Sequence, residues 1–572
     1  ASVTASGADP VTGRAIALDL RANTAGVTVR QSANAAGAIT PAITGDVLFG
    51  AGAARLELLA GKLDGAVAFG AGADVLVIDG GAKLTGALTD AGGGLSVDIA
   101  KGRLTATNAQ AVALTSLSLG AAGELVMSLD PAAKASTRFD VAGAATLAAG
   151  AKIGLRLTSK LTEAQSYTLI KAGALTAGTL DQSLLGTTPW LYKATLRVDQ
   201  PQNAVVADVR RRTAAEAGLN AAEAKAYEAV FANFDRDVAV RDALLAKTDA
   251  AGFARLYDQF LPDHSGGLFE VMAQASRASG RAVDQDAPNL AGDGVRLWTQ
   301  ELAFIVRRDL DRTSSYDATG FGVAGGAETP STDLGVLGLQ TSFLGVNVDE
   351  KGAAAAESLD GSLLQVGAYW RGGSDGLSAT VSVNGGYAWL KSNRTVSDAA
   401  LGLSRTAKSD WSGKTLAVHA DLGWRLEAGR LYARPQLTAD YFLLKEDARR
   451  ETGGGAAVDL TVDARTGEQL AAFAGVTLGA DWSEESALVW SPELTLGWRQ
   501  VSGDGAGVTT ARFVAGGPAF SIAAPDANGG GAVARLALRA QGQYVDLVVE
   551  AGGEVREDYQ AYDARVAVRM AF

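Results

Sequence analysis

Cysteine is absent from the 572 residues, and the chain has only 2 histidines, 3 methionines and 12 prolines. The absence of cysteine excludes disulfide scaffolds, zinc fingers, iron–sulfur clusters and thiol nucleophiles. The two histidines, His264 and His419, lie about 155 residues apart and cannot supply a three-histidine metal centre. We therefore predict neither a metal site nor a cofactor.

Positive charge is also scarce, because 51 Lys and Arg face 63 Asp and Glu and the formal net charge is -12. A nucleic-acid-binding protein needs a basic face to neutralise phosphates, so we expect no nucleic-acid partner. The sequence contains no run of 18 apolar residues, which excludes a transmembrane helix. At roughly 100–200 residues per domain, the length predicts two or three domains.

A repeat of 20 to 21 residues runs through the N-terminal region, 1–212. The segment GDVLFGAG at 45–52 returns as GAVAFGAG at 65–72. The first strands of successive repeats contain Ile43, Leu63, Leu84 and Leu104, and the second strands begin at Leu56, Leu76, Leu95 and Leu117. This period is typical of the coils of a parallel β-helix, which stack and bury their Leu, Val and Ile side chains. A β-sandwich with coincidental spacing is the alternative, and the near-identity of the two segments favours the β-helix.

Aspartates of this repeat are candidate calcium ligands: Asp46, Asp64, Asp74 and Asp79. The turns of a β-helix are commonly rich in aspartate, and the calcium-binding nonapeptide repeat is missing here. We therefore expect these four carboxylates to be solvated.

Helical periodicity replaces the repeat in the region 213–294, which we take as a linker. The predicted helices cover 221–234 with Asn220 as its cap, 236–247, 249–260 and 268–283. The last of them has small residues over much of its surface and three charged side chains, Glu270, Arg277 and Arg281. This surface suits a helix inside a narrow polar channel, and an ordinary solvated helix explains it nearly as well.

Strict alternation of apolar and polar residues begins near residue 295 and continues to the C-terminus. Eight of the nine Trp lie after residue 290, and many of them start or end apolar faces. Such faces are typical of an antiparallel transmembrane β-barrel with aromatic girdles. The twelve predicted strands cover 295–308, 317–325, 334–348, 361–372, 377–391, 411–427, 430–446, 467–482, 487–503, 530–541, 544–556 and 560–572. Connections after strands 4, 6, 8 and 10 are short and those after strands 3, 5, 7 and 9 are long, an asymmetry that a soluble sandwich does not explain.

The polar faces of these strands are expected to line the lumen of the barrel. The charged residues predicted there are Arg371, His419, Asp421, Arg425, Asp440, Glu493, Arg499, Arg535 and Arg539, together with Asp546, Glu550, Arg565 and Arg569. Twelve strands enclose a space only slightly wider than one helix. We therefore hypothesise that the helix 268–283 fills the pore and pairs with these charges. The glycines predicted to make room for it are Gly320, Gly322, Gly325, Gly367, Gly385, Gly386, Gly423, Gly475, Gly479 and Gly497.

Two short motifs match catalytic or nucleotide-binding signatures in spacing only. A G-x-S-x-G at 372–376 falls in a predicted turn between two strands, whereas a nucleophile elbow joins a strand to a helix. A G-x-G-x-x-G at 320–325 lies within a strand that no helix follows. The region 1–212 contains neither His nor Cys, which rules out Ser–His and Cys–His catalysis there. We assign no catalytic residue and predict that the chain is not an enzyme.

The order of a β-helix, a helical linker and a twelve-stranded barrel resembles the monomeric autotransporters of type V secretion. The resemblance covers the whole chain and includes GFGVAGG at 320–326, the helix before the barrel, and the ending RVAVRMAF at 565–572. It implies that the barrel, 295–572, lies in the bacterial outer membrane and that the preceding helix threads its lumen. The region 1–212 would then be a passenger displayed on the cell surface. We expect a signal peptide, absent from the chain that begins at Ala1, to direct export through the periplasm.

The same resemblance implies partners during biogenesis, namely periplasmic chaperones, the barrel assembly machinery and the lipid of the outer membrane. The expected assembly signal is the terminal strand, with Tyr562, Val566, Val568, Met570 and Phe572. The segment SYTLIKA at 166–172, with Trp190 nearby, looks like the stable C-terminal part of a passenger that seeds folding of the β-helix.

Three classes of function remain open. The favoured class is an autotransporter whose barrel anchors and exports its own non-enzymatic passenger, which acts in adhesion to a surface ligand or in self-association. The alternative is an enzyme-bearing autotransporter, an esterase or protease, whose catalytic part is missing or unrecognised. The third class, a passive porin, does not account for the roughly 290 residues before the barrel.

Overall fold

The computed structural model describes residues 2–8, 13–33, 40–284, 294–309, 315–329, 335–351, 357–483, 488–525 and 527–571. The chain forms two compact units. The first consists of Ala1–Gly218 and Val238–Phe253, and the second of Leu219–Asp237 and Ala254–Phe572. The helical linker predicted at 213–294 is thus divided between the two units.

Parallel strands dominate the first unit. Its strands are β1 (Ser2–Thr4), β2 (Ile16–Leu20), β3 (Val27–Gln31), β4 (Ala42–Thr44), β5 (Asp46–Phe49), β6 (Ala54–Leu58), β7 (Lys62–Asp64), β8 (Val67–Phe69), β9 (Val75–Ile78), β10 (Ala82–Gly86), β11 (Leu88–Asp90), β12 (Ser96–Ala106), β13 (Ala111–Leu114), β14 (Ser116–Asp130), β15 (Ala135–Ser136), β16 (Arg138–Leu147), β17 (Lys152–Leu157), β18 (Gln165–Ala177), β19 (Tyr192–Asp199) and β20 (Ala204–Arg211). Its α-helices are α1 (Ala214–Ala217) and α3 (Val238–Leu245).

The register of these strands confirms a β-helix with the predicted repeat. Leu63 pairs with Ile43 and with Leu84, and Leu84 pairs with Leu104, all in parallel. Two further parallel rows, β2–β5–β8–β11 and β3–β6–β9–β12, complete the coil. In the row β3–β6–β9–β12, Leu76 of β9 pairs with Val97 of β12. The predicted alignment of Leu95 with Leu76 is therefore wrong by two residues. The inward side chains are almost completely buried, which supplies the core that a single coil lacks.

Two of the aspartates predicted to be solvated are buried instead. Asp46 Oδ1 accepts a hydrogen bond of 2.8 Å from the amide of Ala66, and Asp74 Oδ1 accepts one of 2.6 Å from the amide of Ala54. Each bond joins neighbouring coils, 20 residues apart in sequence. These carboxylates therefore satisfy buried backbone donors at the turns, where an unpaired amide would be costly. Within the described residues no group of three or more His, Cys, Asp or Glu is placed to hold a metal ion.

The last part of the solenoid changes from parallel to antiparallel pairing. Strand β18 contains the segment 166–172 and pairs antiparallel with β20, which also pairs with β19. Trp190 Nε1 donates to the carbonyl of Ala217 at 3.0 Å, and the Arg212 guanidinium lies 4.2 Å from the centre of the indole ring. The described contacts thus tie Trp190 to this end of the solenoid, and the seeding role of the segment stays a prediction.

Of the described α-helices, three belong wholly or partly to the second unit: α2 (Ala221–Asn233), α4 (Ala250–Asp258) and α5 (Gly267–Gly280). A 3-10 turn at Arg281–Val283 continues α5. Asn220 caps α2 in a capping box with Glu223, as its position before the apolar run predicts. Burial raises the pKa of the Glu223 carboxyl to about 7, against the opposing effect of its hydrogen bond from the Asn220 amide. No helix in the described part of the chain is long and apolar enough to cross a bilayer.

Twelve long strands of the described residues close into an antiparallel barrel. They are β21 (Arg296–Arg308), β22 (Ser315–Glu328), β23 (Val336–Lys351), β24 (Glu357–Ser374), β25 (Leu377–Asp398), β26 (Leu403–Trp424), β28 (Leu431–Glu446), β31 (Arg465–Ala480), β33 (Val489–Gly505), β36 (Gly529–Gln541), β37 (Val545–Arg556) and β38 (Tyr559–Ala571). Shorter strands are β27 (Leu426–Ala428), β29 (Arg449–Arg450), β30 (Leu460–Val462), β32 (Trp482–Ser483), β34 (Val508–Phe513) and β35 (Phe520–Ala523). The pairing of β21 with β38 closes the ring, from Arg296 opposite Ala571 to Arg308 opposite Tyr559.

The main difference from the predicted barrel lies at the long-loop rim. The predicted loop between residues 391 and 411 is a continued hairpin, since β25 and β26 stay paired from Leu377 opposite Trp424 to Asp398 opposite Leu403. Beyond residue 391 most residues of both strands are polar, so the apolar alternation that marks the spanning part is lost. At the opposite rim, the predicted turn after strand 4 is present, with positive φ at Asp375 (52°) and Gly376 (80°), as tight hairpins require.

Candidate functional site

Helix α5 lies inside the barrel, and all of its residues are buried. Its side chains contact strands on several sides of the ring: Arg308 of β21, Gln365 of β24, Phe442 of β28, Gln469 of β31 and, just beyond the helix, Asp563 of β38. A helix that reaches strands so far apart in the ring occupies the lumen. The predicted helix in the pore is therefore confirmed.

The first half of α5 packs through apolar side chains and one carboxylate. Phe269 lies with its ring 5.5 Å from that of Phe442. Glu270, which is 3% exposed, accepts hydrogen bonds from the guanidinium of Arg308 and from the hydroxyl of Tyr316. Arg308 and Tyr316 stand where β21 and β22 approach the long-loop rim, so the start of α5 lies near that rim.

The second half of the helix is held by cations and amides. Arg277 donates to the side chains of Gln469 at 2.6 Å and Gln274 at 2.8 Å. Arg281 donates to Asp563 at 2.5 Å and lies 3.7 Å from Glu550. The final carbonyls of the helical segment accept from Arg565 and Arg569, at 3.1 and 3.2 Å. Cationic donors at a helix C-terminus are favourable for both hydrogen bonding and the helix dipole.

His419 links the end of the helical segment to the wall. Its Nε2 lies 2.6 Å from Asp284 Oδ1, and its Nδ1 lies 2.7 Å from Asp440 Oδ1. Ionised carboxylates only accept hydrogen bonds, so both contacts are satisfied together by the doubly protonated imidazolium. The ring also lies against Gly280, where a Cβ would come 3.0 Å from it.

The glycines that make room for α5 differ from those predicted. A Cβ at Gly361 would collide with Met272, and one at Gly467 would come 2.9 Å from the Phe269 ring. None of the ten predicted glycines has an α5 atom among its nearest contacts. Most of them, such as Gly320 beside Phe304, give space to side chains of adjacent strands. The prediction that these ten glycines make room for the helix is therefore wrong. Alternation indicates which face of a strand a glycine occupies, but it does not indicate which side chain packs against that glycine.

Most of the predicted lumen charges are bonded to partners on the wall. Arg371 pairs with Glu328, Asp421 with Arg434, Arg499 with Glu554, and Arg535 with Asp563 and Glu550; Arg539 lies 3.8 Å from Asp546, and Glu493 accepts from Tyr432 at 2.6 Å. Arg425 is different, since it stands between β26 and β27 at the short-turn rim and pairs there with Glu427 and Asp481. Because the strand is interrupted there, alternation no longer predicts the direction of this side chain.

The site residues predicted from the sequence did not include those that hold the segment preceding α5 near the long-loop rim. Asp263 is completely buried and lies 3.0 Å from Arg465, and the carbonyl of Gln259 accepts from Arg394 at 2.9 Å. Arg394 also pairs with Glu451. These arginines belong to the long-loop ends of β25 and β31, where loss of the apolar alternation removes the signal that could have identified them.

At the other end of the lumen a cavity of about 90 Å³ remains below α5, lined by Arg277, Arg281 and Arg569 among others. It is polar and large enough for a few water molecules. The helix therefore fills the upper lumen with side chains and leaves a small polar space at its lower end.

The last strand presents its apolar side chains outward. Tyr562, Val566 and Met570 are 48%, 44% and 41% exposed, and Val568 lies on the same face. Phe572 lies outside the described residues. The outward apolar face continues around the barrel, with Trp424, Trp482 and Trp490 exposed at the short-turn rim. A closed barrel of twelve strands with this exterior is an outer-membrane β-barrel.

Residues 299–549 match the family model described as "Autotransporter beta-domain". These residues of the barrel are therefore an autotransporter beta-domain, and the barrel lies in the bacterial outer membrane. None of the curated proteins matches the chain.

Solved structures similar to the chain include the translocator domain of autotransporter NalP from Neisseria meningitidis, at 16% identity, covering 53% of this chain and 95% of that one with a TM-score of 0.40. The beta domain of the Bordetella autotransporter Brka is 16% identical, covers 49% of this chain and 100% of that one, and has a TM-score of 0.37. The transport unit of the autotransporter AIDA-I from Escherichia coli is 12% identical, covers 55% of this chain and 100% of that one, and has a TM-score of 0.36.

Proposed function

We propose that the barrel exports residues 1–212 of its own chain and then anchors them at the cell surface. The observation that carries this proposal is the direction of α5 in the lumen. Its first turn contacts Arg308 and Tyr316 near the long-loop rim, and its end contacts Asp563 deeper in the barrel. Long loops of outer-membrane barrels face the outside and short turns face the periplasm. The chain that precedes α5 thus leaves the barrel on the outer side.

The seated helix is the end state of this export. Once the passenger has passed, the bonds of Glu270, Arg277 and Arg281 to the wall replace water in the pore and hold the segment in place. Burial of so many paired charges favours one position of the helix, because sliding by one turn would leave buried charges without their partners. Assembly of the barrel from the periplasm would involve chaperones and the barrel assembly machinery, which read the last strand.

The passenger is, in this proposal, a non-enzymatic surface module that acts by adhesion or self-association. Support comes from the sequence, because the region 1–212 has no His and no Cys to activate a nucleophile. It also comes from the solenoid, whose stacked coils display a continuous regular surface. An extended surface of repeated strands is suited to contact with a large partner.

The export direction can be tested with single cysteines, since the chain contains none and labelling has no background. Ser118→Cys places a thiol on the exposed face of β14, and the matched control Ala428→Cys places one in the exposed short-turn rim. A membrane-impermeant maleimide should label Ser118→Cys on intact cells and Ala428→Cys only after permeabilisation. Labelling of Ala428→Cys on intact cells, or protection of Ser118→Cys, would contradict the proposed orientation.

The passenger role is tested separately. Cells that display the full chain should settle together or adhere to a surface faster than cells whose surface passenger has been removed by protease. Hydrolysis of ester or peptide substrates by the purified full chain would instead support the enzyme-bearing alternative.

A further inference from the structure

Two lysines face outward from the barrel at directly opposite positions on adjacent strands. Lys414 of β26 pairs in register with Lys445 of β28, and both side chains are exposed. Like charges directly opposite each other in a sheet are destabilising. Within the described residues neither lysine forms an ion pair with a carboxylate, whereas the neighbouring outward lysine, Lys391, lies 3.9 Å from Asp410.

Two outward acidic side chains of this part of the barrel accept hydrogen bonds from hydroxyl groups, and within the described residues neither forms an ion pair with Lys414 or Lys445. Asp447 accepts a hydrogen bond of 2.5 Å from Ser412, and Glu468 accepts one of 2.8 Å from Tyr441. The pair of ammonium groups is therefore available to an anion that approaches from outside the barrel.

The depth of this pair in the membrane follows from the strand geometry. Lys414 lies ten residues from Trp424, which stands at the short-turn rim. At a rise of about 3.4 Å per residue and a tilt near 40°, ten residues span about 25 Å along the barrel axis, the height of the apolar band. Lys414 and Lys445 thus lie where the outer leaflet changes from acyl chains to headgroups.

Aromatic side chains mark the same level. Tyr387 pairs in register with Lys414 and packs edge-to-face on Trp389, with ring centres 5.0 Å apart. Both rings are exposed on the outer surface, at 39% and 47%. Tyr and Trp at this position belong to the interfacial girdle, and lysine stems extend from such a level to place their charge among headgroups.

We propose that Lys414 and Lys445 form a binding site for a phosphate-bearing lipid of the outer leaflet. The phosphate would lie between the two ammonium groups and remove their repulsion, and the acyl chains would lie along the apolar wall below Tyr387 and Trp389. The site needs only the outer-membrane barrel and does not depend on the proposed export or passenger role.

The test uses the purified full chain in non-ionic detergent with lipid A as the probe, in its phosphorylated and enzymatically dephosphorylated forms. Native mass spectrometry measures the fraction of protein that retains one lipid. The double variant Lys414→Gln/Lys445→Gln should bind phosphorylated lipid A roughly 10- to 30-fold more weakly, as expected for two basic residues near an anionic lipid surface. Lys414→Arg/Lys445→Arg should retain binding, and the matched control Lys391→Gln should stay within about twofold of the wild type.

Three results would overturn the proposal. The first is unchanged binding in the double variant that still shows the heat-dependent gel shift of a folded barrel. The second is equal binding of dephosphorylated lipid A, or an equal loss in Lys391→Gln, since either would mean that no phosphate is held by this pair. The third is displacement of lipid A by millimolar inorganic phosphate, which would mean that the site takes the free ion rather than the lipid.

Discussion

Glu270→Ala is the substitution that most directly tests how the helix is held in the pore. Glu270 is the one carboxylate within α5, and it is buried against the guanidinium of Arg308 and the hydroxyl of Tyr316. The substitution removes this carboxylate while the Arg308 charge stays in the lumen. Breaking one side of a buried ion pair typically costs about 3–5 kcal/mol. At about 1.4 kcal/mol per factor of ten, the ratio of displaced to seated helix should rise roughly 10²- to 4 × 10³-fold.

Planar-bilayer recordings of the purified full chain measure this ratio as the frequency and duration of ion-conducting openings. The wild type should conduct little, and Glu270→Ala should open far more often. Glu270→Gln keeps hydrogen-bonding atoms but loses the charge, so its effect should be intermediate. Ser276→Ala is the matched control, because it lies on the same helix and loses only long contacts of 3.3 to 3.4 Å with Gln365.

Equal opening frequencies in Glu270→Ala and the wild type would refute the reasoning that this buried pair seats the helix. A change in Ser276→Ala as large as that in Glu270→Ala would also refute it, because the effect would then come from any disturbance of α5. The folded state of each variant is checked by its gel mobility before and after boiling.

Four other outcomes are expected. The folded chain should migrate differently in unboiled and boiled gel samples, since the closed ring resists detergent; identical mobility would contradict a closed barrel. Deletion of Phe572 should sharply lower the yield in the outer membrane, and an unchanged yield would count against the assembly signal. Asp74→Ala should destabilise the solenoid by about 1–3 kcal/mol, because the buried Ala54 amide loses its acceptor, and limited proteolysis should show faster cleavage than in Asp79→Ala. The pKa of the Glu223 carboxyl is raised from 4.5 to about 7, so between these pH values the folded helix α2 keeps a proton that the unfolded chain releases. The stability of α2 should therefore fall as the pH rises from about 4.5 to 7. Hydrogen-exchange protection factors should show this fall, and Glu223→Gln should abolish it.

Much of the architecture could be predicted because its signals are local in sequence. The repeat from Ile43 to Leu104 has the spacing of one coil, and the pairing of Leu63 with Leu84 follows from it. The barrel strands alternate with period two because one face meets lipid and the other meets the lumen. The capping residue Asn220 and the turn at Asp375 are equally local, since their hydrogen bonds and backbone angles involve only a few neighbours.

The candidate site could be predicted only in part. Alternation predicts that Arg535 faces inward, but its partner Asp563 is 28 residues away and is also bonded to Arg281. The extended hairpin beyond residue 391 escaped prediction because outside the membrane both faces of a strand are polar. The same loss of pattern concealed Arg394 and Arg465, which hold the segment above α5.

The sequence by itself determined the repeat of the solenoid, the helix at 268–283, the number of barrel strands and the inward or outward direction of most of their side chains, because each of these depends on periodicity. Only the tertiary structure decided that Asp46 and Asp74 bind buried amides, that Gly361 and Gly467 make room for α5, and that Lys414 stands opposite Lys445. These facts depend on the register between strands and on which segments meet across the lumen. A shift of register by one residue would exchange the inward and outward faces of a strand, and no local pattern specifies which of the possible partners is met.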